Sequence, residues 1–168
     1  EYAEALEGYY GTRDRFILVL LLLQGLRAAE VGGLLTNDMD WQGFGHIDLV
    51  GKGNRRRRAV LCPAARAAAI AWAYYRRGAS DPSNVLFPTE SGAGIGVRAI
   101  ERIADHALSS LGLKRPGRSA HAMRSTYGLL SVLGGADREA LRDSMGHSSS
   151  RTTEIYTAAA SRYQGNPA

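Results

Sequence analysis

Apolar positions along the chain fall into blocks of different period. They run nearly unbroken through "FILVLLLL", Phe16 to Leu23, pause at "QGLR", and resume in "AAEVGGLL". Over residues 13 to 35 this pattern predicts two helical segments joined where Gly25 interrupts them, the first one buried. Two short extended runs follow, "HIDLV" and "RRRRAVL", on either side of "GKGN". Their glycine-flanked junction predicts a hairpin. "PAARAAAIAWAYYRR" opens with Pro63 at a favoured first helical position and is rich in alanine, so a helix is expected there. "VRAIERIADHALSSLGL" carries apolar residues at helical spacing and Gly112 as a stop signal. An amphipathic "SAHAMRSTYGLLSVLGG" and a shorter "DREALRDSM" predict two more helices. Beyond them "MGHSSSRTTEIYT", residues 145 to 157, is a polar segment with too few apolar residues for core, yet it holds Tyr156. The pattern predicts a mainly α chain with one small antiparallel β-sheet near residues 38 to 61, an α+β fold without internal repeats or long linkers.

Composition narrows the class. The 168 residues suit one domain with its own core, and 45% hydrophobic with 22% charged residues is ordinary for a folded protein. The single cysteine, Cys62, cannot form an internal disulfide and has no partner for a zinc knuckle. The longest apolar run is far short of the roughly 20 residues of a membrane span. The opening "EYAEALEGYY" has neither a basic start nor a cleavage site, and it enters directly into a helical pattern, as a cut inside a longer protein would. A cytoplasmic protein is expected. Net charge is +5, with the cations clustered in "RRRR" at Arg55 to Arg58, in "YYRR" ending at Arg77, and in "KRPGR" from Lys114 to Arg118. A polyanion is the natural partner of such clusters.

Several common sites are excluded by spacing. "DMD" at Asp38 to Asp40 has no third acidic ligand or histidine pair nearby and reads as a turn before Trp41. "SGAGIG" lacks dinucleotide-binding spacing, "GKGN" lacks the upstream half of a phosphate loop, and no G-x-S-x-G element exists. A dispersed polar set is left. His121 and Arg124 in "HAMR" are three apart on a helix and share a face. Arg27 sits at the break between two helices with Glu30 one turn on, and Lys52 occupies the hairpin tip. Singly, each has a structural explanation: a helix-end cap or salt bridge for the arginines, a helix-start residue for His121, an exposed turn for Lys52.

Taken in order, "GLRAAE", "GKGNRRR", "HAMR", "MGHSS" and "TEIYT" resemble the catalytic domain of tyrosine recombinases, the phage integrase and Xer-type family, over about residues 13 to 160. The family pattern is an arginine with a glutamate three later, a hairpin lysine, H-x-x-R, G-H, and a tyrosine nine residues past that histidine. All are matched here, with 23 residues from Arg124 to His147. Met123 and Met145 replace the usual leucines, Ser125 stands where many members carry histidine, and the hairpin has arginine and valine where lysine and proline are common.

The resemblance implies a site-specific DNA recombinase that cuts one strand through a 3′-phosphotyrosine. In that chemistry Arg27 and Arg124 hold the phosphate with fixed, permanently charged donors in place of metal ions, so neither metal nor ATP is required. Tyr156 is the expected nucleophile, His121 its base, His147 a donor to the phosphate and Lys52 the general acid, with Glu30 orienting Arg27. Arg55, Arg56, Arg57 and Arg58 are expected to grip the DNA backbone. Residues 1–168 would form a single catalytic domain without the N-terminal domain that members usually carry. The expected partners are double-stranded DNA, three further copies in a homotetramer on paired sites, and accessory DNA-bending proteins, with no membrane, in the cytoplasm at the nucleoid. A type IB topoisomerase and a catalytically silent DNA-binding domain on the same fold are the alternatives.

Overall fold

The long apolar run forms the axis of the molecule. A computed structural model of the chain describes residues 7–51, 56–78, 84–146 and 150–164, with side chains for all of these but 77–78, 150–153 and 163–164. Helix α1, Gly8–Leu23, buries Phe16, Ile17, Leu20 and Leu21 completely. Each such side chain contributes about 1.5–3 kcal/mol relative to exposure. Helix α2, Ala28–Gly32, follows a turn at Gly25. Strands β1, His46–Val50, and β2, Arg56–Val60, form the antiparallel hairpin. Helix α3, Pro63–Gly78, packs along α1. Its alanines at 65, 68, 69 and 73 bury their small side chains, which lets the two backbones approach and leaves Trp72 as the one large wedge. The Trp72 indole N–H donates to the Leu86 carbonyl at 3.1 Å, so its polar atom is satisfied inside the core. Phe87 lies against both Phe16 and Trp72.

The other side of α1 is covered by α4, Val97–Ser110, and α5, Ala120–Leu133. Helix α4 buries Ile100, Ala104 and Ala107, a stripe at helical spacing, and ends in a turn at Leu111–Gly112. Helix α6, Arg138–Met145, is capped at its start by the Asp137 carboxylate, which accepts from the backbone N–H groups of Glu139 and Ala140. It ends at Gly146 in the left-handed conformation.

The predicted elements from residue 13 to Met145 are present, and the mainly helical architecture with one two-stranded antiparallel sheet is as expected. One expectation changes. The polar stretch around Tyr156 is not an open segment: residues 150–164 form helix α7, packed along α5. Among its described side chains the buried ones are Tyr156 and Ala160, one turn apart on the face that meets α5.

The hairpin register places the arginine run. His46 pairs with Val60, Asp48 with Arg58 and Val50 with Arg56, while Ile47 faces Ala59 and Leu49 faces Arg57. Ile47 and Leu49 are buried, so strand alternation puts Arg57 and Ala59 on the inner face and Arg56, Arg58 and Val60 on the outer one.

Candidate active site

The turn between α1 and α2 brings Arg27 to the start of α2 with extended backbone angles. Its N–H donates to Glu30 Oε2 at 2.9 Å and its Nη1 to Glu30 Oε1 at 2.9 Å. The guanidinium then reaches across 119 positions of sequence to the end of α6, where Nη2 donates to the Gly146 carbonyl at 3.1 Å and Nη1 to the Met145 carbonyl at 3.4 Å. Its side chain keeps 42% of its surface exposed.

Arg124 approaches the same place from α5. It is 3% exposed, donating from Nη1 to the Gly25 carbonyl and from Nη2 to the Met145 carbonyl at 2.6 Å. The two arginines therefore share Met145 as an acceptor and flank the last turn of α6. That turn offers carbonyls without helical partners and the negative end of the helix dipole, a natural resting place for cations.

Glu30 sits beneath them at 7% exposure and accepts a two-pronged fork from Arg57, Nη1 to Oε1 and Nη2 to Oε2, each at 2.9 Å. The Arg57 Nε donates to the Ser144 carbonyl at 3.1 Å. Arg124 Nη1 lies 3.9 Å from Glu30 Oε2. Three guanidinium groups thus surround one carboxylate, leaving two positive charges in excess. Burial alone would raise the Glu30 pKa, but the bonds from Arg57 and from the Arg27 N–H, with the two cations' charges, hold it below its ordinary value of 4.5. Burial, and then repulsion from Arg27, push Arg124 down to about 10, with the charge of Glu30 opposing the shift. It remains a cation at neutral pH.

Tyr156 completes the group. It is 7% exposed and packs with Leu141, Met145, Tyr127 and Val132. Its ring contacts α5 at Gly128, where a Cβ would stand 2.7 Å from Cδ2 and Cε2. Its packing on Met145 sets the ring against the same turn of α6 whose carbonyl both arginines share.

The remaining expected residues fall in three groups. His121 is exposed at the second position of α5, whereas Arg124 one turn on is buried, so the shared helix face delivers one to the rim and the other to the interior. Lys52, Arg55 and His147 lie outside the described residues. Of the hairpin arginines, Arg56 is exposed opposite Val50, and Arg58 makes an exposed two-pronged pair with Asp48 at 2.8 and 3.1 Å. Water screens so exposed a pair, so Arg58 is readily released to another anion. Arg57 differs, turned inward to Glu30 rather than outward with its neighbours. The strand alternation that Ala59 and Leu61 set carries that signal, and a reading of "RRRR" as one charge cluster misses it.

The "DMD" stretch is a turn: the Asp40 carboxylate accepts from the backbone N–H groups of Gln42, Gly43 and Gly45. Among the described residues no group of three His, Cys, Asp or Glu side chains could hold a metal ion, and no helix is long and apolar enough to cross a membrane.

Residues 2–162 match the sequence profile of the phage integrase family. The chain belongs to that family. Within it, the chain is 34% identical over 145 residues to a tyrosine recombinase XerC from Corynebacterium glutamicum, covering 86% of this chain and 46% of the relative. It is 35% identical over 153 residues to a tyrosine recombinase XerC from Pelobacter propionicus, covering 90% and 49%. The chain thus spans about half the length of the curated relatives it matches. Among solved structures its fold is similar to that of the XerH site-specific recombinase bound to palindromic difH substrate in a post-cleavage complex. The TM-score is 0.82 at 20% identity, over 97% of this chain and 48% of that one. The XerA recombinase gives 0.80 at 23% identity, over 99% and 64%. The fold is that of the family's catalytic domain.

Proposed function

We propose that this chain is the catalytic domain of a site-specific DNA recombinase, acting on double-stranded DNA by cutting and rejoining strands through a phosphotyrosine. The observation that carries the reading is the convergence of Arg27 and Arg124 on the Met145 carbonyl, with the Tyr156 ring packed against the same Met145. A phosphodiester repels nucleophiles and gathers more negative charge as it is attacked. Two guanidinium groups with fixed donors stabilise that charge without reorganising.

The Tyr156 oxygen attacks phosphorus while His121 takes the phenol proton. The bond from phosphorus to the 5′-oxygen breaks, and that oxygen receives a proton from Lys52. His147 donates to a non-bridging oxygen. The tyrosyl phosphate conserves the energy of the broken bond, so a second 5′-hydroxyl can attack it and reseal the strand without ATP. Arg55, Arg56 and Arg58 grip the DNA backbone nearby, and affinity falls steeply with salt.

The XerH complex with difH and the Tn1549 integrase complex with transposon right-end DNA support DNA as the substrate. The relatives are named as recombinases, so neither a topoisomerase nor a silent domain is favoured. Assembly as a homotetramer on paired sites, help from DNA-bending proteins, and action in the cytoplasm at the nucleoid complete the proposal.

The test uses a pool of nicked duplexes with randomised half-sites, scored for adducts that survive denaturation. The intact chain forms such adducts, and Tyr156→Phe forms none while keeping its DNA affinity and stability. Undiminished DNA binding with no wild-type adduct would establish the silent domain instead.

A further inference from the structure

We infer that Arg57 is a positioning residue of the catalytic centre, whose role is to occupy Glu30 so that Arg27 and Arg124 keep their charge for the DNA phosphate. The inference rests on the function proposed above and goes beyond it, since it moves Arg57 out of the DNA-gripping set.

The geometry leaves Arg57 little freedom to serve DNA. Both its Nη groups donate to the Glu30 carboxylate and its Nε to the Ser144 carbonyl, with 14% of the side chain exposed. A Cβ at Gly146 would stand 3.0 Å from its Nη1, so the end of α6 closes directly over the guanidinium. Its neighbours Arg56 and Arg58 are exposed on the outer face of the hairpin.

The charge balance gives this burial a purpose. Glu30 is needed where it is, because it fixes the Arg27 backbone N–H and side chain together. A buried carboxylate next to two phosphate-binding arginines is nonetheless a competitor for them. Arg57 answers the competition by taking both carboxylate oxygens in a fork, the arrangement in which an arginine pairs most tightly with a carboxylate. With Arg57 in place the centre carries two excess positive charges, matching the two negative charges that a phosphate accumulates under attack. Without it, one excess charge would remain, and Glu30 would pull Arg27 and Arg124 away from the DNA.

This logic predicts suppression as well as loss. Arg57→Gln should slow formation of the Tyr156 adduct by about a hundredfold, the scale of losing one stabilising donor. DNA affinity and its salt dependence should be unchanged within about twofold. Adding Glu30→Gln to Arg57→Gln restores two excess charges and removes the competing carboxylate, so the double variant should recover at least about tenfold of the lost rate. Arg57→Lys keeps the charge but not the fork and should fall between wild type and Arg57→Gln.

Rates are read at saturating DNA, with thermal unfolding run on every variant. If Arg57→Gln does not fold, the comparison of Arg57→Lys with the double variant carries the same test. A double variant no faster than Arg57→Gln would overturn the inference. So would an Arg57→Gln chain that cleaves at the wild-type rate but loses DNA affinity and about one unit of salt slope, which would make Arg57 a phosphate contact. A wild-type chain that forms no adduct overturns the proposed function and this inference with it, whereas the two preceding outcomes leave the proposed function standing.

Discussion

Gly25→Ala should be among the most damaging small substitutions in this protein. Gly25 has a φ of +63°, a conformation in which an L side chain costs about 1–2 kcal/mol. A methyl group there would also meet the Tyr127 ring, 2.3 Å from Cδ1, 2.8 Å from Cε1 and 2.9 Å from Cγ. Ordinary carbon contacts are about 3.5–4.0 Å, so the ring would have to move by roughly an ångström or more. It is not free to do so, because its hydroxyl is hydrogen-bonded to Ser144 Oγ at 3.1 Å and the ring packs in the Tyr156 cluster. Overpacking of this kind costs about 1–3 kcal/mol, which with the backbone term gives about 2–5 kcal/mol. The measurement is guanidinium unfolding followed by circular dichroism, in the wild type and in a Tyr127→Ala background. Removing the ring should leave only the backbone cost of about 1–2 kcal/mol for the same glycine substitution. A loss below about 1 kcal/mol in the wild type, or an equal loss in both backgrounds, would refute the reasoning. Because the Gly25 carbonyl accepts from Arg124, cleavage should fall along with stability.

Two more outcomes follow from neighbouring contacts. Gly128→Ala would gain about 1 kcal/mol in an open helix, but the methyl would overlap the Tyr156 ring. The overlap should cancel the gain or turn it into a loss of up to about 2 kcal/mol. A full gain in thermal stability would show that the ring does not rest there. Glu30 has a folded pKa below its unfolded value of 4.5, so its contribution to stability is complete above that pH and is lost as pH falls through the folded value. Glu30→Gln should therefore be less stable at neutral pH yet decline less steeply below about pH 4.5, as read by denaturant unfolding across that range. Parallel curves for the two proteins would contradict the charged state assigned to Glu30.

The sequence by itself determined the elements from residue 13 to Met145 and their order. Helical spacing, Pro63 and Gly112 delimited helices, and "GKGN" between two extended runs marked the hairpin, because these signals act over a few residues through backbone conformation. It also supplied the residue types of the site, since arginine and tyrosine in that order carry recognisable chemistry. Tertiary structure decided which of them meet. Arg27 and Arg124 are joined through the Met145 and Gly146 carbonyls, and a backbone carbonyl has no signature in the side-chain sequence. Tyr156 stands in a polar stretch, and its burial comes from Leu141 and Met145 of α6, Tyr127 of α5, and the room that Gly128 leaves for its ring. Arg57 looks like its three neighbours until strand pairing fixes which face it occupies, after which a buried carboxylate 27 positions away claims it. Local preference acts through neighbours in the chain, whereas the catalytic centre is held by hydrogen bonds and charge balance among groups that only packing brings within reach.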